Sequence, residues 1–420
     1  MRVLMLAQFY PPIIGGEETY VHNLSIALVA RGYSVAVATT WSPDLPEYEE
    51  RDGIRIYRLK GIAQRIPGVY SDQGRRHAPP MPDPVMSWAL WNIISKEKPE
   101  IVHAHNWLVR SFLPIKHLCD AKLIMSLHDY SQVCATKLLI YHDTVCDGPS
   151  LFKCIDCAID HYGLLKGLPT VLTNWTMSAA EKATVNIFIP VSRAVAIYDK
   201  LKERGLPYEV IPNFMLDDAA VLREGVDEYI SQLPSVPFLL FVGDLRRAKG
   251  LHVLIEAYAN VLGKQSVPPL VCIGRQCPDT PDRLPPNVHF FYSWPHEAVM
   301  HAWNRCAIGI VPSIMPETFG FVALEAMLMG RPVIASRTGG LQDLVVDDET
   351  GFLVTPGDVL SLEIAIRTLI NDRARQIRMG EAAVKRVRDE FQESVVLPRI
   401  ERLYNEVLAE REPHFERTTA

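Results

Sequence analysis

Val311-Pro-Ser-Ile-Met-Pro-Glu-Thr-Phe-Gly-Phe-Val-Ala-Leu-Glu-Ala-Met-Leu-Met-Gly-Arg-Pro-Val-Ile-Ala335 is the stretch on which the reading of this chain turns. Ala307 to Val311 reads as a short apolar strand that Pro312 ends in a turn. Phe321 to Met329 reads as a buried helix, Gly330 stops it, and Pro332 to Ala335 opens a new strand. A helix that begins near Gly320 points free backbone N–H groups and a positive dipole end at whatever lies in front of it, which is a ready anion site. Glu317 sits in the loop before that tip and Glu325 inside the helix. A carboxylate beside a phosphate would repel it, so the useful role for each Glu is to accept hydrogen bonds from hydroxyls. An anion site flanked by two hydroxyl readers describes a pocket for a nucleotide-linked sugar. The competing reading is an ordinary buried helix whose acids are solvated or paired.

A chain of 420 residues is long enough for two full cores. Its 48% apolar and 22% charged residues are those of a globular protein. A net charge of −6 argues against nucleic acid as a partner. No apolar stretch approaches the ~18 residues needed to span a bilayer. The short N-terminal apolar run followed by Pro11-Pro12 does not read as a secretory signal. Eight cysteines without such a signal suggest reduced thiols and a cytoplasmic location, with Asn174-Trp-Thr176 a chance sequon.

Working outward, Arg2 to Ala7 is an apolar strand, followed by the loop Pro11–Gly16, an amphipathic helix from about Thr19 to Ala30 and a strand from Tyr33 to Thr39. This is a βαβ unit, and a parallel sheet is its natural outcome. Ile54–Leu59, Ile101–Ala104, Lys122–Leu127 and Asn186–Pro190 read as further strands, and Met86–Ser95 as a helix. Tyr130 to about Tyr162 has weak periodicity and reads as a long excursion. After a break near Leu216–Pro237, a second α/β series runs through the strands Pro237–Val242, Pro269–Ile273 and Val288–Tyr292 and the helices Leu251–Leu262 and Leu360–Asn371. From Val395 to Glu410 the apolar spacing is helical, and Pro398 fits only in the first turn.

In this frame the chain resembles the retaining glycosyltransferases of family 4, which have the GT-B fold. The likeness rests on Pro11-Pro-Ile-Ile-Gly-Gly-Glu17, Ile101-Val-His-Ala-His105, Ser126-Leu-His-Asp129, Ile211-Pro-Asn213, Phe241-Val-Gly-Asp-Leu-Arg-Arg-Ala-Lys-Gly250, Glu317 to Glu325 and Thr338-Gly-Gly-Leu-Gln-Asp343, in the family's order. The resemblance implies two Rossmann-like domains facing across a cleft. Residues 1–190, joined by a helix at about 395–420, would form the acceptor side, and residues 191–394 would bind the nucleotide sugar. It implies that Glu325 binds the ribose hydroxyls, that Glu317 holds the sugar hydroxyls, and that the backbone of Thr318, Phe319, Gly320 and Phe321 holds the diphosphate together with Lys249 and an arginine. Gly15, Gly16 and His128 would face them from the first domain. It also implies retention of configuration by a front-face route, with no metal or other cofactor and no separate nucleophile.

The residues themselves leave alternatives. Gly15-Gly16 lacks the spacing of a dinucleotide fingerprint and reads otherwise as a plain turn. Arg246, Arg247 and Lys249 put three cations at a strand's C-terminal end, where ligands of open sheets gather, and they would offset charge on a departing diphosphate. Otherwise they are a solvated basic turn. Asp244 stands where the family usually has Arg, so which arginine contacts phosphate stays open; Lys249 matches the family's position. His128 reads otherwise as a satisfied core histidine; His105 could line the acceptor cleft, and Asp129 could orient a neighbour. Gln342-Asp343 stands where the family often has Pro-Glu, which favours a structural turn at Gly339-Gly340 over a loop that approaches the donor. Cys134, Cys146, Cys154 and Cys157 are compatible with a zinc clip that His142 could join, but their irregular spacing favours reduced thiols. The acceptor stays open among small molecules, lipids and glycans, as does contact with a membrane surface. A sugar-nucleotide epimerase or phosphorylase of the same fold, or a non-catalytic nucleotide-sugar-binding subunit, are the rival readings.

Overall fold

The computed structural model describes residues 1–13, 15–66, 75–142 and 144–409. Ile14 of the Pro11–Glu17 run and the end of the expected terminal helix lie outside the described residues.

The first half contains β1 (Arg2–Leu6), α1 (Gly16–Ala30), β2 (Ser34–Thr40), β3 (Tyr48–Arg51), β4 (Ile54–Leu59), α2 (Pro84–Glu97), β5 (Ile101–Ala104), β6 (Lys122–Leu127), α3 (Leu151–Tyr162), α4 (Leu164–Thr184) and β7 (Ile187–Pro190). Its seven-stranded sheet runs β3-β4-β2-β1-β5-β6-β7. Every neighbouring pair is parallel except β3 with β4. Helices cover both faces of such a sheet, so its central strands are continuous apolar runs with no alternation. Val3 to Leu6 and Val35 to Ala38 are buried throughout.

The second half contains β8 (Leu239–Val242), α5 (Leu251–Leu262), β9 (Leu270–Gly274), β10 (Val288–Tyr292), α6 (His296–Arg305), β11 (Ile308–Val311), α7 (Phe321–Leu328), β12 (Val333–Ser336), β13 (Gly351–Val354), α8 (Val359–Ile370) and α9 (Arg373–Glu390). Its six strands run β10-β9-β8-β11-β12-β13, all parallel. The last helix, α10 (Glu393–Ala409), returns to the first half. There Val396, Leu397, Ile400, Leu403, Tyr404 and Val407 are buried in one cluster with Val3, Met5 and Leu24. These are two Rossmann-like sheets with a crossing terminal helix, the GT-B architecture.

Ile54–Leu59 forms a strand one place in from the sheet's edge, because the polar strand β3, which no apolar pattern announces, pairs outside it. Two expectations need correction. Much of the supposed excursion is helical: a small hairpin (Ile140–Tyr141 with Thr144–Val145) leads into α3, and α4 follows it. Pro398 lies in the second turn of α10, not the first, since the helix begins at Glu393. The bond lost from its missing N–H is offset by buried neighbours on either side, Val396, Leu397 and Ile400.

The last strand of the first sheet ends at Pro190, where the sequence divides the chain. The following residues stay with that sheet: Ile211 N–H donates to Pro190 O at 3.3 Å. Between the halves, Ser192 Oγ donates to Thr318 O at 2.7 Å, Tyr130 Oη donates to Glu317 O at 3.4 Å, and Arg193 holds Asp343 with its backbone N and its Nε, each at 2.7 Å. These contacts set the C-terminal strand ends of the two sheets face to face, where ligands of open α/β sheets bind.

Candidate active site

The tip of α7 is built by two glycines. Gly320 caps the helix at φ 107°, where L side chains are strained, and a Cβ there would meet Leu341 at 2.7 Å. Gly339 lies against the loop before the helix, since its Cβ would fall 2.0 Å from Glu317 O; Gly340 N–H donates to that same oxygen at 2.6 Å. The Gly339-Gly340 turn therefore buttresses the Glu317–Phe319 loop. The first intrahelical bonds at the tip come from Ala323 and Leu324 to Gly320 O. The amides of Phe321 and Val322 precede them and are the tip's outward donors.

The two acids differ in their partners. Glu317 Oε1 accepts from Lys249 Nζ at 2.7 Å and from Ser313 Oγ at 2.5 Å. Glu325 Oε2 accepts from Trp303 Nε1 at 3.1 Å, and its Oε1 faces His296 Nε2 at 2.9 Å. The charge and hydrogen bond of Glu325 raise the pKa of His296. Both carboxylates keep further lone-pair sites for hydroxyl donors.

Across the cleft, a Cβ on Gly16 would lie 3.2 Å from the Phe321 ring, which places the Gly15-Gly16 loop against the α7 tip. Nearby, three imidazoles form a column. His103 and His105 have centroids 4.3 Å apart, and His105 and His128 stack at 5.3 Å with His105 Nδ1 and His128 Nε2 3.1 Å apart. His103 is anchored by Tyr404 Oη at 2.7 Å and Ser126 Oγ at 2.8 Å. Burial holds His103 down to about 3 and His128 down to about 4, and it keeps His105 well below the ordinary histidine value. The column is uncharged at neutral pH. Beside it burial opposes ionisation of Asp129, but Lys137 at 3.0 Å and the Ser131 amide outweigh it and lower that carboxyl. Burial first, then the charges of Glu18 and Asp129, push the Glu17 carboxyl well above the usual range.

The basic loop after β8 divides its cations. Lys249 turns to Glu317. Arg246 and Arg247 instead line a cavity of about 340 Å³ whose other wall is the first half's excursion, from Thr136 to His161. Asp244, the departure from the family's arginine, is held by Arg275 in a two-pronged pair at 3.1 and 2.9 Å. All eight cysteines are free thiols, and Cys134, Cys146, Cys154 and Cys157 line one small cavity. Among the described residues no three His, Cys, Asp or Glu side chains are grouped to hold a metal ion. Asn174 of the chance sequon is buried inside α4 and accepts from Arg110 at 2.8 Å. No described helix is long and apolar enough to cross a membrane.

The profile of the group 1 glycosyl transferases matches residues 230–386, and that of glycosyltransferase family 4 matches residues 14–215. The chain belongs to glycosyltransferase family 4. An uncharacterized glycosyltransferase of Methanocaldococcus jannaschii is 24% identical over 390 residues, 89% of this chain and 90% of that protein. Among solved structures, sucrose-phosphate synthase from Thermosynechococcus elongatus superposes with a TM-score of 0.72 at 22% identity, covering 97% of this chain and 99% of the other. Anabaena HepE in complex with UDP-glucose superposes at 0.67 and 18% identity, covering 97% and 100%.

In this family 4 glycosyltransferase the fold gathers Lys249, Glu317, the α7 tip and Gly16 around one cleft; Arg246 and Arg247 stand apart from Glu317 on the neighbouring cavity. Sequence reading missed Ser313, Tyr130, Ser192, His296 and Trp303. Ser313 lies one turn before Glu317 and was within reach. The others act on partners 22 to 187 residues away in sequence, with no local pattern to mark them.

Proposed function

We propose that this glycosyltransferase moves a sugar from a nucleoside-diphosphate donor to an acceptor hydroxyl, with retention of the anomeric configuration. One observation carries the reading: Lys249 and Glu317 meet at 2.7 Å beside the α7 tip, opposite the Gly15-Gly16 loop. A cation, a hydroxyl acceptor and outward amides at one point suit the diphosphate and sugar of such a donor. The HepE complex with UDP-glucose, on the same architecture, supports a donor of this class.

In this reading Glu325 accepts hydrogen bonds from the ribose hydroxyls, with its orientation fixed by Trp303 and His296. Glu317 accepts from the sugar hydroxyls. Lys249 and the amides of Thr318, Phe319, Gly320 and Phe321 hold the diphosphate and stabilise the charge that develops as it leaves. His128 is neutral, so it offers the sugar a hydrogen bond without adding charge. The bond from the anomeric carbon to the β-phosphate oxygen breaks, and one to the acceptor oxygen forms on the same face. The acceptor's proton passes to the departing phosphate. The positive charge comes from Lys249 and the helix tip, so the step is written without a metal; undiminished turnover in EDTA tests that. The free thiols suit a reducing, cytoplasmic setting.

The test is incubation with UDP- and ADP-sugars and a panel of alcohol acceptors, with product configuration read by NMR. Retained product, together with loss of turnover in Glu317→Gln, is the expected result. An inverted product, or acceptor-independent epimerisation, would overturn it.

A further inference from the structure

The cavity under Arg246 and Arg247 has an unusual charge balance. Both halves of the molecule contribute to its wall, the first half the larger share. On the first-half side, Asp156 is already engaged: Tyr141 Oη donates to it at 2.9 Å, and His142 Nε2 lies 3.9 Å away. Asp160 is exposed to solvent. On the second-half side, Arg246 Nε is buried and has no hydrogen-bond partner. His161 lines the same cavity as this guanidinium; burial and then the arginine's charge lower its pKa, against the charge of Asp160. A buried guanidinium nitrogen left without an acceptor on a cavity wall describes a place for an anion.

The cavity also adjoins the proposed reaction centre without belonging to it. Ala248 O accepts from the amides of Ile314 and Met315 at 3.0 and 3.1 Å, which fastens the cavity's basic loop to the turn carrying Ser313 and Glu317. Lys249, the cation next to the donor's expected place, is not on the cavity wall.

We infer that this cavity receives an anionic group of the sugar acceptor, a phosphate or a carboxylate, held by the guanidinium groups of Arg246 and Arg247. This rests on the transferase reading above and names the acceptor's chemical class. Guanidinium forks match both oxyanions with paired hydrogen bonds.

The experiment is calorimetric titration of the full chain, saturated with UDP so that the donor's diphosphate site is filled. The probes are glucose, glucose 6-phosphate and glucuronate. The expected result is at least tenfold tighter binding of one or both anionic sugars than of glucose. The preferred one tells phosphate from carboxylate. Arg246→Gln and the exposed Arg247→Gln should each cut that preference severalfold and leave UDP affinity within about twofold. Equal binding of all three sugars would overturn the inference. So would a tenfold loss of UDP affinity in Arg246→Gln, which would assign the cavity to the donor's diphosphate. A wild-type chain that binds neither UDP nor ADP would instead sink the transferase reading itself, and this one with it.

Discussion

Each half of the molecule holds a short cation–glutamate pair, and the two pairs could hardly be used more differently. In the first half, Arg110 Nε meets Glu181 Oε1 at 2.8 Å with both side chains fully buried. Its other nitrogens donate to Pro80 O and Asn174 Oδ1, each at 2.8 Å, and Gln132 Nε2 donates to the second Glu181 oxygen at 2.5 Å. In the second half, Lys249 and Glu317 meet at 2.7 Å, but their side chains stay 27% and 13% exposed. The first pair is closed on all sides and ties α4 to the short helix Val109–Phe112. The second is open toward the cleft, with donors and lone pairs left for a ligand. A charge pair becomes a site when its hydrogen-bonding capacity is left unfilled and a path to it exists; distance alone does not separate the two cases.

Breaking each pair should therefore move a different observable. Arg110→Met leaves the Glu181 carboxylate buried without its cation, and an uncompensated buried charge costs about 3–5 kcal/mol. Denaturant unfolding should show that loss, while turnover per folded molecule stays near wild type. If turnover falls with unchanged stability, the assignment of this pair to structure is wrong. Glu317→Gln should do the reverse. It keeps the shape and removes the charge, so stability should shift by less than about 1 kcal/mol. Turnover should fall on the order of 10²–10³-fold, as for loss of one group that acts on the transition state. Comparable kinetics in wild type and variant would remove Glu317 from the site.

The same contrast explains what was readable in the sequence. The stretch from Val311 to Ala335 carries strand, turn, helix and stop in consecutive residues, and the structure has β11, α7 and β12 where those signals place them. Its neighbours Lys249 and Gly16 follow strands whose apolar runs are plain, so topology alone delivers them to the cleft. Elements without a core-facing period escaped. Strand β3 is polar, and α4 carries Pro169 within its length and turns Leu165 and Leu172 to solvent. The Arg110–Glu181 pair was invisible for the same reason: 71 residues separate its members, and one lies on a helix that was not foreseen. The partners of Glu325 lie on α6, a helix the apolar pattern did not reveal.

The histidine column offers a test of intermediate size. His103 is fully buried and held down to about 3 by that burial, with Tyr404, Ser126 and the neighbouring His105 and His128 around it. A depressed histidine stabilises the fold above its unfolded value near 6.5, and that contribution is lost as pH falls toward the folded value. Stability should drop below pH 6.5 by about 1.4 kcal/mol per pH unit for each such group. His103→Gln should flatten the slope between pH 6.5 and 4. An unchanged slope would mean that the column already carries a proton in the fold.

Glu325 sits between the two extremes of the comparison, and its partners give the finest test. Trp303 donates from the core, whereas the His296 side chain is 46% exposed. The sign for His296 is opposite to that of the column. Its folded pKa is raised, chiefly by the charge of Glu325, so the stability it contributes is fully present below about 6.5 and disappears as pH rises through the folded value. Exposure and solvent screening keep this below about 1 kcal/mol. His296→Gln should therefore melt earlier than wild type at pH 5.5 and together with it at pH 9. Donor affinity should weaken only a few-fold, because Trp303 still orients the carboxylate. Trp303→Phe removes the buried donor and should weaken donor binding more. If the exposed partner proves the more important of the two at every pH, then openness toward the cleft is not what separates a functional charge pair from a structural one in this fold.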